Sequence, residues 1–144
     1  MKSILVVSSI MFFLFINYPQ KLFSQELLHG ATSLNSSNAE IKFEKEIHDF
    51  GKIKQFSEAV YYFKFTNTGK EPLIITDAKG SCDCTVPEWP KQPIRPGESG
   101  TIKVKYDTKK VGLFNKTVTI TSNARNESVS ELKITGTVEP ADKK

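Results

Sequence analysis

The sequence contains few of the side chains that most catalytic and metal sites require. Its 144 residues include two cysteines, two histidines and two methionines. Both methionines, Met1 and Met11, lie near the N terminus, and His29 falls outside the predicted domain, which leaves His48 as the one imidazole inside it. A closed zinc site needs four ligands, and a nucleophilic cysteine needs a base and an orienting group. We therefore predict no enzymatic activity, no catalytic residues and no cofactor.

Long apolar runs are absent beyond the N terminus. Lys2 precedes an apolar run from Ile4 to Ile16, and the small residue Ser24 follows it. This run is shorter than the roughly 20 apolar residues of a spanning helix, and it matches the hydrophobic region of an export signal. We predict a signal peptide over residues 1–24; the alternative is an uncleaved N-terminal anchor. After signal cleavage we expect no transmembrane segment.

The rest of the chain divides into a linker, one domain and a tail. Residues 25–40 are rich in small polar side chains without a sustained period, which is typical of a flexible linker. Residues 41–138 carry the regular patterns described below, and residues 139–144 form a polar tail. The formal charge of the whole chain is +4, and removing Lys2 and Lys21 with the signal lowers it to +2 (4 − 2). So small a charge argues against nucleic acid as a partner, and we expect an envelope protein or a polysaccharide.

Apolar and polar residues alternate along most of the predicted domain. A period of two indicates half-buried strands, since successive side chains point to opposite faces of a sheet. The apolar positions of these runs are Ile41, Phe43, Tyr61, Phe63, Phe65, Ile102, Val104, Tyr106, Val118, Ile120, Leu132 and Ile134. Groups of glycine, proline, asparagine or serine separate the runs, and Leu73-Ile74-Ile75 suits a central strand. About seven short antiparallel strands and no convincing helix predict an all-β sandwich.

The two cysteines, Cys82 and Cys84, lie one residue apart. In an extended segment residues i and i+2 share a face, with Cα atoms about 6.5–7 Å apart, near the upper limit for a disulfide. Exported thiols tend to oxidise, so we expect a short, strained disulfide with a local role. The alternatives are a pair of buried small residues, a redox-active thiol pair and a metal clip, in which Cys82 and Cys84 alone hold copper or His48 joins them as a further ligand. We interpret His48 as an edge-strand residue, with Gly51 allowing a bend.

The single tryptophan lies in a proline-rich segment. Pro87 and Pro90 flank Trp89, and two more prolines follow by residue 96. Such a segment cannot pair as a central strand, because proline donates no backbone hydrogen bond, so we expect it at a sheet edge. Trp89 is interpreted first as a packing residue. If it is exposed, it forms a candidate binding patch with Thr85, Pro87 and Pro90.

Five motifs occur in order along the domain. They are His48-Asp49-Phe50-Gly51, Phe65-Thr66-Asn67-Thr68-Gly69, Cys82-Asp83-Cys84-Thr85, Pro87-Glu88-Trp89-Pro90 and Ile94-Arg95-Pro96-Gly97-Glu98-Ser99-Gly100. In this order they resemble the bacterial domain-of-unknown-function 1573 family, whose small exported domains are similar to Hydin-type immunoglobulin-like sandwiches. The resemblance covers residues 41–138 and implies an immunoglobulin-like fold in the periplasm or at the cell surface of a Gram-negative bacterium. It implies no catalytic chemistry. The family usually reads Cys-Gly-Cys-Thr, and Asp83 replaces that glycine here.

These observations favour an exported, non-catalytic module with a binding or structural role in the cell envelope. The competing hypothesis is a thiol redox or copper-handling protein that acts through Cys82 and Cys84. Because a fold does not by itself imply a function, the choice depends on the surroundings of the cysteines.

Overall fold

The computed structural model describes residues 37–142, and these form eight β-strands. The strands, in chain order, are β1 Ile41–Phe43, β2 Ile47–Lys54, β3 Ala59–Asn67, β4 Ile75–Gly80, β5 Thr85–Glu88, β6 Ser99–Tyr106, β7 Gly112–Ser122 and β8 Val129–Glu139. No helix occurs among the described residues. Accordingly, none of them belongs to a helix long and apolar enough to cross a membrane. The predicted signal peptide and most of the predicted linker lie outside the described residues.

The strands form two four-stranded sheets that make a sandwich. One sheet has the order β1-β3-β6-β5 and the other has the order β2-β8-β7-β4. The prediction of an all-β, immunoglobulin-like sandwich is confirmed, with one strand more than the expected seven. One pair departs from the antiparallel pattern, since β2 runs parallel to β8. The reason is that the chain leaves the first sheet after β1 and joins the second sheet as β2, without reversing direction through a hairpin.

The core lies between the two sheets and is built from alternate residues of each strand. The largest fully buried side chains include Phe63, Phe65, Leu73, Ile102, Val104, Val118, Ile120, Leu132 and Ile134. The alternation of apolar and polar residues therefore identified the inner faces of β3, β6, β7 and β8 correctly. Full burial of side chains this size stabilises the fold by about 1.5–3 kcal/mol each.

The run Leu73-Ile74-Ile75 does not form the central strand that its composition favours. β4 begins at Ile75 and lies at the edge of its sheet, and Ile74 is 40% exposed. Leu73 is buried because it pairs with Ile94 in an isolated bridge, in which each backbone N–H donates to the other residue's carbonyl oxygen at 2.8 Å. Leu73 and Ile75 are thus buried although neither lies on a central strand, because they point to the core side of the segment while Ile74 points outward.

The structure also places the start of the packed chain before residue 41. Ala39 falls within the predicted linker, but its side chain is fully buried in the core. The carbonyl oxygen of Asn38 accepts a hydrogen bond from the Lys70 N–H, and that of Ala39 accepts one from the Arg125 N–H, both at 2.8 Å. A small apolar side chain between backbone hydrogen bonds packs without any periodic signal in the sequence.

The two ends of the sandwich differ in their loops. We call one the asparagine end; it consists of residues 37–40, 68–74, 89–98 and 123–128. We call the other the groove end; it consists of the connections 55–58, 81–84 and 107–111. The predicted cysteine pair lies at the groove end, which the next section describes.

Candidate functional site

Cys82 and Cys84 lie in the short crossover that carries the chain from β4 in one sheet to β5 in the other. The structure joins their sulfur atoms in a disulfide, with the Cα atoms 5.2 Å apart. This Cα separation is shorter than the extended geometry predicts and falls within the ordinary range for disulfides. The reason is that residues 81–84 turn, and the Thr85 N–H donates to the Cys82 carbonyl oxygen at 3.1 Å. The expected disulfide is confirmed, and the extended geometry predicted for its two residues is wrong.

Backbone hydrogen bonds to both sheets hold this turn in place. The Ser81 N–H donates to the Thr117 carbonyl oxygen at 2.8 Å, and the Asp107 N–H donates to the Cys84 carbonyl oxygen at 2.8 Å. The Ser81 hydroxyl oxygen also accepts from the Thr117 N–H at 3.2 Å. The turn therefore has anchors on β7 and after β6 that do not depend on the disulfide.

Thr85 places a buried hydroxyl beside the disulfide. Its side chain is 3% exposed, and its Oγ1 lies 3.5 Å from Cys82 Sγ and 4.0 Å from Cys84 Sγ. Disulfide sulfurs carry no hydrogen, so the hydroxyl is the donor in both contacts. The arrangement is asymmetric, because the shorter contact is to Cys82.

An open groove of ≈ 570 Å³ lies next to the disulfide. Its lining comes from all three connections of the groove end and from the adjoining strand residues. The lining residues are Phe56, Ser57, Glu58, Ala59, Asp83, Cys84, Val86, Lys105, Tyr106, Asp107, Thr108 and Lys109. Cys84 belongs to this lining, and Cys82 does not. The groove thus presents one half of the disulfide to whatever occupies it.

Phe56 is the most exposed aromatic side chain of the groove, at 70%. It has a φ of 65° and is the only residue other than glycine with positive φ among those described. The backbone turns here, since the Ser57 N–H donates to the Lys54 carbonyl oxygen at 3.1 Å. A bulky side chain in the left-handed region is strained by about 1–2 kcal/mol, and such strain concentrates at functional sites.

The groove carries charges of both signs. Lys105 and Lys109 supply positive charge, while Glu58, Asp83 and Asp107 supply negative charge. Lys109 Nζ lies 3.4 Å from Asp107 Oδ2, and both side chains are largely exposed. The lining as a whole therefore does not favour a ligand of one charge sign.

Tyr106 is the lining residue whose ionisation the surroundings change. Burial raises the pKa of the Tyr106 hydroxyl above its usual value, and the nearby Asp107 carboxylate raises it further. The ring stacks on Phe114 with the ring centroids 4.0 Å apart. Tyr106 therefore stays protonated near neutral pH, and its ring serves as packing at the floor of the groove.

The proline-rich segment lies at a sheet edge, as its composition predicts. β5 is the edge strand of its sheet, and within it Val86 is 51% exposed. Since the Cys84 carbonyl oxygen faces β6, the alternation of the strand turns residues 85 and 87 toward the free edge. The N–H of Thr85 is already bonded to Cys82 and Pro87 has none, so this edge offers no free donor over these residues. A partner strand would gain little by pairing with β5.

The four residues of the predicted binding patch do not form one exposed surface. Thr85 is buried, and Pro87 and Pro90 are half-buried. Trp89 is also half-buried and packs against the core, with Lys91 Nζ 3.0 Å from its ring centroid. Its Nε1 is buried without a hydrogen-bond partner among the described residues. These contacts correspond to the packing interpretation of Trp89.

His48 lies on the edge strand β2, away from the disulfide turn. Its ring stacks on Tyr61 with centroids 3.6 Å apart and meets Phe50 edge to face. Burial lowers the pKa of His48 below its usual value, and the positive charge of Lys45 lowers it further. Gly51, with a φ of 63°, lies at an irregularity in the pairing of β2 with β8 and supplies the expected bend.

The metal-site alternative is not assembled in the structure. Its thiols are joined in a disulfide, and His48 belongs to the aromatic stack just described. Within residues 37–142, no group of three or more histidine, cysteine, aspartate or glutamate side chains comes together in an arrangement that could hold a metal ion.

Sequence reasoning found the cysteine pair but missed Phe56 and Val86. Neither residue belongs to an alternating run of the kind that marked the strands. The available signal was local: an aromatic residue stands in the polar turn Lys54-Gln55-Phe56-Ser57, where the structure requires positive φ and glycine is the usual choice.

Known structures share the fold at low sequence identity. A protein of unknown function from Porphyromonas gingivalis W83 matches with a TM-score of 0.62 at 13% identity, over 69% of this chain and 46% of that one. The ASH / PapD-like domain of human CEP192 (PapD-like domain 7) matches with a TM-score of 0.55 at 10% identity, over 78% of this chain and 93% of that one. The secreted serine protease VesC from Vibrio cholerae matches with a TM-score of 0.55 at 11% identity, over 72% of this chain and 24% of that one.

At these identities the likeness shows the fold alone. This chain spans 46% of the P. gingivalis protein and 24% of VesC, so it corresponds to only a part of each. No curated protein sequence matches the chain. The family model described as "Protein of unknown function (DUF1573)" matches residues 41–138, and because this match spans well over half of the sequence, the chain belongs to that family.

Proposed function

We propose that this protein is an exported, non-catalytic immunoglobulin-like module of the bacterial cell envelope that binds a protein partner in the groove beside Cys84. The observation that carries the proposal is Phe56, which keeps a strained backbone conformation while its ring is 70% exposed at the groove. Strain at an exposed aromatic residue contributes nothing to folding, and such strain concentrates at functional sites, which supports a contact outside the domain.

The rest of the groove fits an interface. Val86 is 51% exposed beside Phe56 in the lining, and exposed aromatic and aliphatic side chains in a concave site are typical anchors for a partner. The connection 107–111 adds a further exposed apolar residue, Val111, at 50%. Exposed apolar side chains also occur elsewhere on the sandwich, at Ile47, Tyr62, Ile74, Leu113 and Val129, but Phe56 and Val86 are the ones that line a groove.

A polypeptide suits this groove better than a polyanion. Apolar anchors are surrounded by two lysines and three carboxylates, which a polypeptide carrying both charge signs complements. Phosphate-rich lipids or nucleic acids would meet three negative charges. The unpaired edge of β5 lacks donors, so we expect the partner to dock through side chains in the groove rather than by adding a strand.

Site-specific photo-crosslinking in the native bacterium tests the docking. A photoreactive phenylalanine analogue is placed at Phe56, at Val86 or, as a control, at Val129, which is 53% exposed at the start of β8, next to the asparagine end. We expect protein adducts of the same mass from positions 56 and 86 and none from position 129. Adducts from all three positions, or adducts to polysaccharide alone, would reject a protein-specific groove.

Export needs its own measurement. The apolar run at residues 4–16 and the disulfide both support an oxidising compartment. Alkaline phosphatase, which is active only outside the cytoplasm, is fused after residue 142 of the whole chain and of a chain lacking residues 2–24. We expect activity from the first fusion and none from the second. Equal activity from both fusions would contradict a signal in this segment.

A further inference from the structure

We propose that the Cys82–Cys84 disulfide is a thiol–disulfide exchange site for a cysteine of the protein that occupies the groove. Cys84 is the sulfur that the incoming thiolate attacks, and Cys82 is the leaving group. The identity of the substrate as a protein thiol rests on the proposed docking in the groove. The chemistry of the disulfide itself stands on the geometry of the turn.

Access distinguishes the two sulfurs. Cys84 lies in the lining of the groove, next to Phe56 and Val86, whereas Cys82 is outside the lining. Both cysteines are half-buried. Thiol–disulfide exchange requires a thiolate to approach one sulfur along the axis of the S–S bond, so a partner seated in the groove reaches Cys84 rather than Cys82. When a side chain of the partner protein contacts Phe56 and Val86, the partner residues next to it in sequence lie beside Cys84.

Thr85 distinguishes the two sulfurs as leaving groups. Its hydroxyl lies 3.5 Å from Cys82 Sγ and 4.0 Å from Cys84 Sγ, and these sulfurs are its partners among the described residues. When the S–S bond breaks at Cys84, negative charge develops on Cys82 and the hydroxyl donates to it. Hydrogen bonding to the charged form lowers the pKa of a thiol, and a thiol of lower pKa leaves faster.

The turn is built to persist while the disulfide opens. The Ser81 and Asp107 backbone N–H groups hold it from both sides at 2.8 Å, and the Thr85 N–H closes it at 3.1 Å. A disulfide between residues i and i+2 closes so small a loop that it adds little conformational stability. Breaking the bond therefore leaves the anchors of the crossover in place.

The charged groups around Cys84 oppose one another. Lys105 and Lys109 favour a thiolate in the groove, while Glu58, Asp83 and Asp107 disfavour it. The direction of exchange therefore depends on access to Cys84 and on the hydroxyl at Cys82, and the lining charges give neither sulfur a consistent advantage.

The exchange balances without an external oxidant. The partner thiolate forms a new S–S bond to Cys84 Sγ, the Cys82–Cys84 bond breaks, and its electron pair remains on Cys82 Sγ. One disulfide and one thiolate give one mixed disulfide and one thiolate. The Cys82 thiolate then reverses the step by attacking Cys84, which releases the partner thiol.

Reduced glutathione is the probe for this chemistry on the purified full chain. The oxidised protein is mixed with glutathione, and the reaction is quenched with N-ethylmaleimide so that the freed thiol is alkylated before it can reverse the step. Fragmentation mass spectrometry then locates both labels. We expect glutathione on Cys84 and the alkyl group on Cys82, at least about tenfold in excess of the opposite arrangement. Equal labelling, or no mixed disulfide, overturns the proposal.

Substitutions of Thr85 test the role of its hydroxyl. Thr85→Val keeps the shape of the side chain and removes the donor, whereas Thr85→Ser keeps the donor. We expect exchange to slow about tenfold in Thr85→Val, the effect of one hydrogen bond to a charged group, and to change less than about threefold in Thr85→Ser. Equal rates in the two variants, with thermal unfolding unchanged, would show that the hydroxyl has no part in the step.

A titration separates this role from simple packing. In the Cys84→Ser background, Cys82 is a free thiol whose thiolate absorbs in the ultraviolet. We expect Thr85→Val to raise the pKa of Cys82 there and Thr85→Ser to leave it unchanged. An unchanged pKa in Thr85→Val would contradict the hydrogen bond.

The two proposals fail in different experiments. Glutathione needs no docking surface, so exchange without photo-crosslinks would reject the protein-binding groove and retain the redox site. Crosslinks from positions 56 and 86 without glutathione exchange would retain the groove and reject the redox site.

Discussion

The loops at the two ends of the sandwich are held together by different contacts and differ in how much apolar surface they expose. At the asparagine end, asparagine side chains bond to the backbone of neighbouring segments. Asn67 is fully buried and donates to the carbonyl oxygens of Glu71 at 2.8 Å and Ile94 at 2.9 Å. Asn126 both donates to and accepts from the backbone of Ile41, at 2.8 and 3.0 Å. These side chains hold four segments of the chain together.

At the groove end, backbone hydrogen bonds and the Ser81 hydroxyl hold the crossover. The side chains of Gln55 and Thr108 join the other two connections, and apolar side chains face solvent. Phe56, Val86 and Val111 are all at least half exposed. At the asparagine end, asparagine side chains satisfy backbone groups of the loops, although Trp89 Nε1 is buried without a hydrogen-bond partner among the described residues. The groove end leaves apolar side chains exposed beside a half-buried disulfide, and this difference supports the proposed binding role of the groove end and a stabilising role for the asparagine end.

The strongest test of this division is Asn67→Leu. The change keeps the branched shape of the side chain but leaves the Glu71 carbonyl oxygen and the Gly69 N–H without this partner, and it removes one of the two hydrogen bonds to the Ile94 carbonyl oxygen. Each unsatisfied buried group costs about 1–3 kcal/mol, so we expect a loss of about 3–4 kcal/mol in the free energy of unfolding, measured in urea.

Asn115→Leu is the matched control, because Asn115 is exposed on β7. We expect it to change stability by no more than about 0.5 kcal/mol. Similar losses in the two variants would mean that the asparagine end is not the stabilising end.

Much of the fold could be predicted because burial in a sandwich repeats every second residue. Phe63, Phe65, Ile102 and Val104 were identified from that period alone, and they are fully buried. Ala39 is equally buried, but it lies in a polar segment with no period. Its burial depends on hydrogen bonds to the distant Lys70 and Arg125, which no local pattern reports.

The site was harder to predict because its geometry comes from connections between sheets. The cysteine pair was evident in the sequence, but its turn follows from anchors on Thr117 and Asp107, which are distant in the chain. The groove forms only when three connections meet at one end. Phe56 is exposed and Thr85 is buried because of how these three connections pack together. A phenylalanine or a threonine in the sequence does not by itself predict that packing.

Gly80→Ala tests how closely the backbone of the crossover at the groove end is packed. A Cβ on Gly80 would overlap the carbonyl oxygen of Thr85. One of the two backbones must shift, and overpacking of this kind costs about 1–3 kcal/mol, so we expect a loss of about 2 kcal/mol in urea unfolding.

Gly97→Ala supplies the comparison from the asparagine end. Gly97 has a φ of +80° but open space around the added Cβ, so only backbone strain of about 1–2 kcal/mol applies. We also expect Gly80→Ala, but not Gly97→Ala, to alter glutathione exchange, since only the first displaces Thr85. Unaltered exchange in Gly80→Ala would show that the turn absorbs the added methyl group.

The double variant Cys82→Ser/Cys84→Ser measures how much the disulfide itself contributes. The turn keeps its backbone hydrogen bonds, and the closed loop is very small, so we expect a loss of at most about 1–2 kcal/mol by urea unfolding. Wild-type protein unfolded in the presence of dithiothreitol should give the same value. A collapse of folding in either case would place the disulfide among the stabilising elements and remove the contrast between the ends.

The smallest expected effect has the opposite sign and bears most directly on Phe56. Glycine adopts a φ of 65° without strain, whereas alanine retains the strain of the phenylalanine while removing the ring. Glycine also makes the unfolded chain more flexible, and this lowers the free energy of unfolding by about 0.4–1 kcal/mol, which offsets part of the gain from the relieved strain. We therefore expect Phe56→Gly to be more stable than Phe56→Ala by about 0.5–1 kcal/mol in urea unfolding. Both variants remove the exposed ring that we propose as the docking anchor, so both should lose partner binding to the same extent. A glycine variant less stable than the alanine variant would remove the argument that Phe56 is kept for docking at the expense of stability.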